Sequence, residues 1–139
     1  MIWTLKVTLC GGIYSTGKCV RVIEIDSAAT LEDLHLAIQD AVDFDNDHLY
    51  EFYYARTERS GDRVRFDDEN GELFSRTVAS MFPPPKDRKL FYLFDYGDSW
   101  RFSVAKARTA PHEPLAGVKY PRLVDGIGDN PEQYPDADD

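Results

Sequence analysis

The chain has little of what marks several familiar classes of protein. It holds two cysteines, Cys10 and Cys19, in 139 residues. That is too few for a disulfide scaffold, so both are expected to be reduced although they flank a hairpin loop. Of its three histidines, His35, His48 and His112, none stands at a recognised metal-ligand spacing from another histidine or a cysteine. No metal and no cofactor is therefore expected. No apolar run approaches the ~18 residues of a membrane-spanning helix. Met1-Ile2-Trp3-Thr4 lacks the basic start and apolar core of a signal peptide. Positive charge is also scarce: 16 Lys and Arg against 25 Asp and Glu leave a formal charge of −9. That balance opposes direct binding to nucleic acid, which needs a basic face, and to anionic membranes. The expected setting is cytoplasmic. The expected partner is a protein, basic in character where charge decides.

What is present is apolar and aromatic. Hydrophobic residues make up 42% and aromatic residues 13%, enough to build the core of one domain over 1–139. The acidity concentrates late. From Pro111 onward seven carboxylates face only Lys119 and Arg122, so this stretch carries −5 of the −9. Residues 109–139 are rich in Pro, Gly and Asp; they read as coil, with the last few residues frayed.

Periodicity outlines the elements. Ile2–Leu9 puts Trp3, Leu5, Val7 and Leu9 on one face of a strand. Gly11, Gly12, Ser15 and Gly17 mark a turn-rich connection, and β-branched Val20–Ile25 returns as a second strand. Thr30-Leu31-Glu32-Asp33 resembles a capping box. Leu31, Leu34, Ile38, Ala41 and Val42 then recur at helical spacing, which predicts an amphipathic helix over Leu31–Val42. His48–Ala55 and Val64–Phe66 read as strands. Leu73–Met81 reads as a short helix stopped by Pro83-Pro84-Pro85. Lys89–Asp95 and Trp100–Ala107 read as a hairpin. One helix among several strands predicts an α+β two-layer sandwich: a mixed or antiparallel sheet with an N-terminal hairpin, one main helix and a later hairpin.

Several constellations invite chemistry. Gly12–Lys18 nearly matches the phosphate loop G-x-x-x-x-G-K-[ST], but Cys19 replaces the hydroxyl and a strand follows where a helix is required. Asp43, Asp45 and Asp47 begin like a calcium loop, yet His48 stands where glycine is needed and Tyr54 where the bidentate glutamate is needed. A solvated acidic loop is the better reading, and these three aspartates are candidate partner contacts. Phe94-Asp95-Tyr96-Gly97-Asp98-Ser99-Trp100 is the most distinctive segment. Its main reading is structural: Gly97 takes a positive φ, Asp98 and Ser99 bond turn amides, and Phe94 and Trp100 anchor the hairpin. His35, His48, Glu51, Asp95 and Asp98 are the candidate ligand contacts, provided the fold brings them together. No nucleophile–base set is recognisable, so no catalytic residue is assigned.

Leu5–Leu9, Arg21–Ile25, Thr30–His35, His48–Phe52, Pro121-Arg122-Leu123 and Gly126–Pro135 occur in one order around Phe94–Trp100. The last segment is similar to a hallmark Y-D-F-G-D-x-W. Together they resemble the plasmid pRiA4b ORF-three-like family. The resemblance implies an α+β fold and a link to plasmids, transposons or other mobile DNA, and no established activity. The family's tryptophan near the second strand is absent here, with Lys18 and Cys19 in its place. A resolvase-like label borne by some members has no support in these residues: a serine recombinase needs an arginine-ringed serine and a basic DNA-binding region.

Three functions remain in view. The foremost is a non-enzymatic protein-interaction module. A sharper form is an acidic mimic of nucleic acid that inhibits a host DNA-binding or defence protein. The third is a small-ligand binder or enzyme using Asp95 and Asp98 with His35 and His48.

Overall fold

The computed structural model describes residues 1–135. The expected fraying of the last few residues, and the acidic Asp136, Asp138 and Asp139, lie outside them. Strands β1 (Ile2–Gly11) and β2 (Val20–Asp26) pair antiparallel, with Leu5 opposite Ile23 and Val7 opposite Arg21. Leu5 and Val7 are buried, and Trp3 and Leu9 pack against the same core. The alternation read from the sequence is thus the inward face of β1.

Helix α1 (Leu31–Val42) starts where its chemistry says it should. The Thr30 hydroxyl accepts from the Asp33 amide at 3.2 Å, and the Asp33 carboxylate accepts from the Thr30 amide at 3.0 Å. Two of the otherwise orphaned N-terminal donors are satisfied this way. Asp43, with φ 58, ends the helix in the left-handed region. The buried face carries Leu31, Leu34, Ile38, Ala41 and Val42 as expected, and also His35 and Gln39.

Five more strands complete the sheet: β3 (Tyr50–Ala55), β4 (Val64–Phe66), β5 (Lys89–Phe94), β6 (Trp100–Lys106) and β7 (Arg122–Ile127). The spatial order is β4-β3-β5-β6-β1-β2-β7, with every neighbouring pair antiparallel. One helix on one face of this sheet makes the two-layer α+β arrangement. Residue parity decides which face each side chain meets. Phe52, Tyr54, Tyr92, Phe94, Trp100, Phe102 and Val104 join the core beneath α1. Tyr53, Ala55, Phe91 and Leu93 form a small apolar cluster on the opposite face. Each large ring buried on the helix side contributes roughly 1.5–3 kcal/mol.

Two expectations are corrected. Residues 73–81 do not form one helix; the chain makes two short 3-10 turns, Glu72–Phe74 and Ala79–Met81. The backbone between them pairs instead with the lead-in to α1. Leu31 donates to the Arg76 carbonyl at 3.0 Å, Val78 to that of Ala29 at 2.8 Å and Ala79 to that of Ser27 at 2.9 Å. Those bonds draw the backbone groups between the two turns out of a continuous helical ladder. The second correction is β7, which lies inside the stretch read as coil. It pairs with β2, Val20 opposite Ile127 and Ile23 opposite Leu123, around a bulge. The outer edge of β2 would otherwise be left open, and β7 satisfies it. Gly128 makes the approach feasible. It has φ 83, and a Cβ there would overlap the Lys18 carbonyl, so only glycine fits.

Candidate functional site

The turn joining β5 to β6 is held by Asp95, not by the residues the sequence pointed to. Asp95 has φ 64 and Ser99 φ 57, whereas Gly97 is not in the left-handed region. The Asp95 Oδ1 accepts from the Gly97 amide at 3.0 Å and the Asp98 amide at 3.2 Å, an Asx turn. Ser99 donates its hydroxyl to the Tyr96 carbonyl at 3.1 Å. Phe94 and Trp100 are fully buried on either side. Asp98 joins these bonds through its amide alone; burial and the neighbouring Asp95 raise its carboxyl above the ordinary range.

The backbone brings His48 to this turn. The Asp95 amide donates to the Leu49 carbonyl at 2.9 Å, and His48 Nε2 lies 3.3 Å from Asp95 Oδ2. The same nitrogen is 2.6 Å from the Tyr134 hydroxyl, which donates to Asp47 Oδ2 at 2.6 Å. Gln133 adds an amide bond to Asp47 Oδ1 at 2.8 Å and accepts from the Asp45 amide at 2.7 Å. The Asp47 bond pushes the Tyr134 hydroxyl up to about 12. In return, the Tyr134 bond holds the Asp47 carboxyl below its ordinary value. The result is a surface relay, Asp95–His48–Tyr134–Asp47, that ties the C-terminal segment to the loop after α1. Asp43 and Asp45 lie exposed on that loop.

His35 belongs to a separate, internal network. Its Nε2 is 2.6 Å from Asn46 Oδ1 and its Nδ1 is 2.6 Å from the Tyr92 hydroxyl. Gln39 donates to that hydroxyl at 2.9 Å and accepts from the Asn46 amide at 2.9 Å. An acceptor on one side and a hydroxyl on the other fit the neutral ring protonated on Nε2. Burial accordingly lowers the pKa of His35. Its ring stacks on Tyr50 with centroids 3.6 Å apart, and the Tyr50 hydroxyl bonds to Glu32.

Glu51 lies on the other sheet face. It is buried and takes Arg65 through three bonds at 2.7, 3.1 and 3.2 Å, with Arg63 at 3.9 Å. Of the five candidate ligand contacts, the fold therefore gathers His48, Asp95 and the adjacent Asp98. It sends His35 inward and Glu51 to the far side. Three surface clefts, of about 730, 570 and 440 Å³, are lined by none of these five residues. Among the described residues no group of three or more His, Cys, Asp or Glu is placed to hold a metal ion. Nor does any helix there have the length and apolarity to cross a membrane. Both cysteines are free, Cys19 buried and Cys10 exposed.

Sequence reasoning missed Tyr134, Gln133 and Arg21. Arg21 is the second residue of β2, 5% exposed, and among the described residues donates only to neutral oxygens. Its partners are the carbonyls of Ala41 at 3.1 Å, Val20 at 2.8 Å, Ile127 at 3.1 Å and Gly128 at 3.0 Å, and Asn130 Oδ1 at 2.7 Å. The planar fork joins the end of α1 to the end of β7. The only local signal was a charge on a β-branched strand, which reads equally well as a solvated residue.

Comparison with known proteins returns relatives of undefined role. The chain is 30% identical over 119 residues to the uncharacterized protein y4hQ of Sinorhizobium fredii, covering 82% of this chain and 57% of that protein. It thus spans just over half the length of this curated relative. A crystal structure of a protein of unknown function from Methanosarcina mazei Go1 is similar, with a TM-score of 0.70 and 26% identity. The match covers 90% of this chain and 68% of that one. Nearly all of the sequence, residues 1–134, matches one family description, and the chain belongs to the plasmid pRiA4b ORF-3-like protein family.

Proposed function

We propose that the protein is a non-enzymatic interaction module that docks an extended segment of a partner protein along the open edge of β7. The observation that carries this reading is the exposure of β7. All six of its residues are exposed, among them Leu123 at 51% and Ile127 at 53%. Among the described residues no strand covers its outer side, so its backbone is a template for strand addition. Beside it lies the cleft of about 730 Å³ between α1 and the lead-in to β7, lined by Leu36, Asp40, Phe44 and Tyr120 among others. Asp40 and the exposed Asp125 and Asp129 would face basic side chains of the partner, in keeping with the charge of −9.

The family's plasmid label supports looking for that partner among proteins that handle mobile DNA. Against such a basic protein, exposed Asp43 and Asp45 would take the place of phosphates, and binding would weaken steeply with salt. The reading as a small-ligand enzyme loses support from the scatter of His35 and Glu51 and from the turn bonds that occupy Asp95.

The test is quantitative affinity capture with the wild-type chain and with the double variant Leu123→Lys, Ile127→Lys. The partner recovered is then mapped by amide exchange. Loss of recovery with an unchanged melting temperature, and protection centred on β7, support the reading. Recovery unaffected by the variant rejects it. A dimer seen by ultracentrifugation and abolished by the same variant would make a second copy the occupant and reject the partner segment.

A further inference from the structure

The sheet face away from α1 carries a positive site on an acidic protein. A cleft of about 440 Å³ is lined by Leu93, Ser99, Arg59, Arg63, Arg101 and Glu58. The parity of the strands puts these side chains together: Leu93 and Arg101 are register partners on β5 and β6, and both point away from the core beneath α1.

The arginines differ in how they are used. Arg63 is fixed. Its Nε donates to the Ser60 carbonyl at 2.8 Å and its Nη2 to the Glu58 carbonyl at 3.4 Å, its Nη1 lies 3.9 Å from Glu51, and its guanidinium lies 4.0 Å over the Tyr53 ring. Among the described residues Arg59 reaches only Glu58, at 3.9 Å. Arg101 has no hydrogen bond or ion pair among the described residues, and its Nε is buried without a partner. Such a donor costs about 1–3 kcal/mol and is rare in folded proteins. The position of Arg101 is nevertheless defined, because it lies across Gly11. A Cβ at Gly11 would stand 2.6 Å from Arg101 Nη2. The buried carboxylate nearby, Glu51, is already taken by Arg65 and Arg63. Arg101 thus lines the cleft half-buried, with no carboxylate bonded to it among the described residues.

We propose that this cleft binds a small phosphate monoester, its phosphate held by Arg101 and Arg63. A guanidinium fork matches two oxygens of a tetrahedral anion. Arg59, Arg63, Arg65 and Arg101 against Glu51 and Glu58 leave an excess of positive charge suited to a dianion. The volume falls in the range of small-molecule sites, roughly 300–1,000 Å³, enough for the phosphate and one ring-sized group against Leu93. Glu58 is placed to accept from a hydroxyl on that group. A long polyanion is disfavoured by the net charge of −9. The site is separate from β7 and stands or falls independently of docking there.

Isothermal titration of the full chain with ribose 5-phosphate, inorganic phosphate, ribose and acetate tests the assignment. Ribose 5-phosphate should bind in the sub-millimolar range, about tenfold or more tighter than acetate, and ribose should not bind. Equal binding of inorganic phosphate would support the same site with the free ion as occupant. Arg101→Gln should weaken phosphate binding at least tenfold. Gly11→Ala should also weaken it, by displacing Arg101 without removing any charge, and serves if the first variant fails to fold. No heat from either phosphate at about 10 mM would overturn the proposal. So would acetate binding as tightly as phosphate, or affinity unchanged in folded Arg101→Gln.

Discussion

At the scale of single residues, the polar groups that looked chemical are mostly occupied in holding backbone. Asp95 satisfies two turn amides from a left-handed conformation. Asn keeps both the acceptor and the tolerance of that conformation, whereas Ala keeps neither. Asp95→Asn should therefore cost under ~1 kcal/mol and Asp95→Ala about 2–3 kcal/mol in urea unfolding; equal losses would contradict the turn role. His35 makes a different prediction. Its bonds suit the neutral ring, and burial lowers its pKa. The unfolded chain binds the proton more readily, so this contribution is complete above about 6.5 and fades as pH falls toward the depressed folded value. The melting temperature should drop on acidification from pH 7 to 5. In His35→Gln that slope should flatten, with stability about 1–3 kcal/mol lower at pH 7 because the Tyr92 and Asn46 bonds are disturbed.

At the scale of elements, local pattern and long-range demand divide cleanly. The α1 boundaries were legible because a capping box and an apolar stripe are both written within the thirteen residues from Thr30 to Val42. The strands β3, β5 and β6 were legible through aromatic and β-branched runs, though parity alone could not say which face met the helix. Residues 73–81 were misread because their partners lie outside the segment, at Ser27, Ala29 and Leu31. β7 was hidden for the same reason, as its sequence is turn-like and its pairing comes from β2. Arg21 fastens that pairing. Arg21→Ala should leave several buried carbonyls unpaired and cost about 3 kcal/mol or more. Amide exchange should quicken in β7 before it does in β5 and β6; uniform loss of protection would show that Arg21 does not act on β7 in particular.

At the scale of the whole molecule, the segment after β6 works as a strap that returns to the first strand and then to the second. The amides and carbonyls of Ile2 and His112 bond to each other at 2.6 and 3.1 Å. The His112 ring then reaches Glu24 at 3.1 Å, where Arg122 also bonds at 2.6 Å. Both ring nitrogens of His112 face acceptors, the Glu113 carbonyl and the Glu24 carboxylate, so the charged ring is favoured and its pKa is raised. Glu24 is lowered, first by His112 and then by Arg122. A raised histidine stabilises below about 6.5 and loses that effect as pH climbs through its folded value. A lowered carboxylate stabilises above about 4.5 and loses it as pH falls. The strap should be tightest between these limits. Amide protection at Ile2 and His112 should decline on the alkaline side, and His112→Ala should abolish that decline. By itself the sequence determined the alternation of β1, the capped helix, the turn-forming segments and the family, because each is written in neighbouring residues. Only the tertiary structure decided that β7 is a strand, that His35 is neutral inside while His48 is at the surface, and that Arg21 has carbonyl partners while Arg101 has none among the described residues. Those outcomes depend on contacts between distant parts of the chain, such as Arg21 with Ile127 across 106 residues, and no local period records which side chains the sheet will bring together.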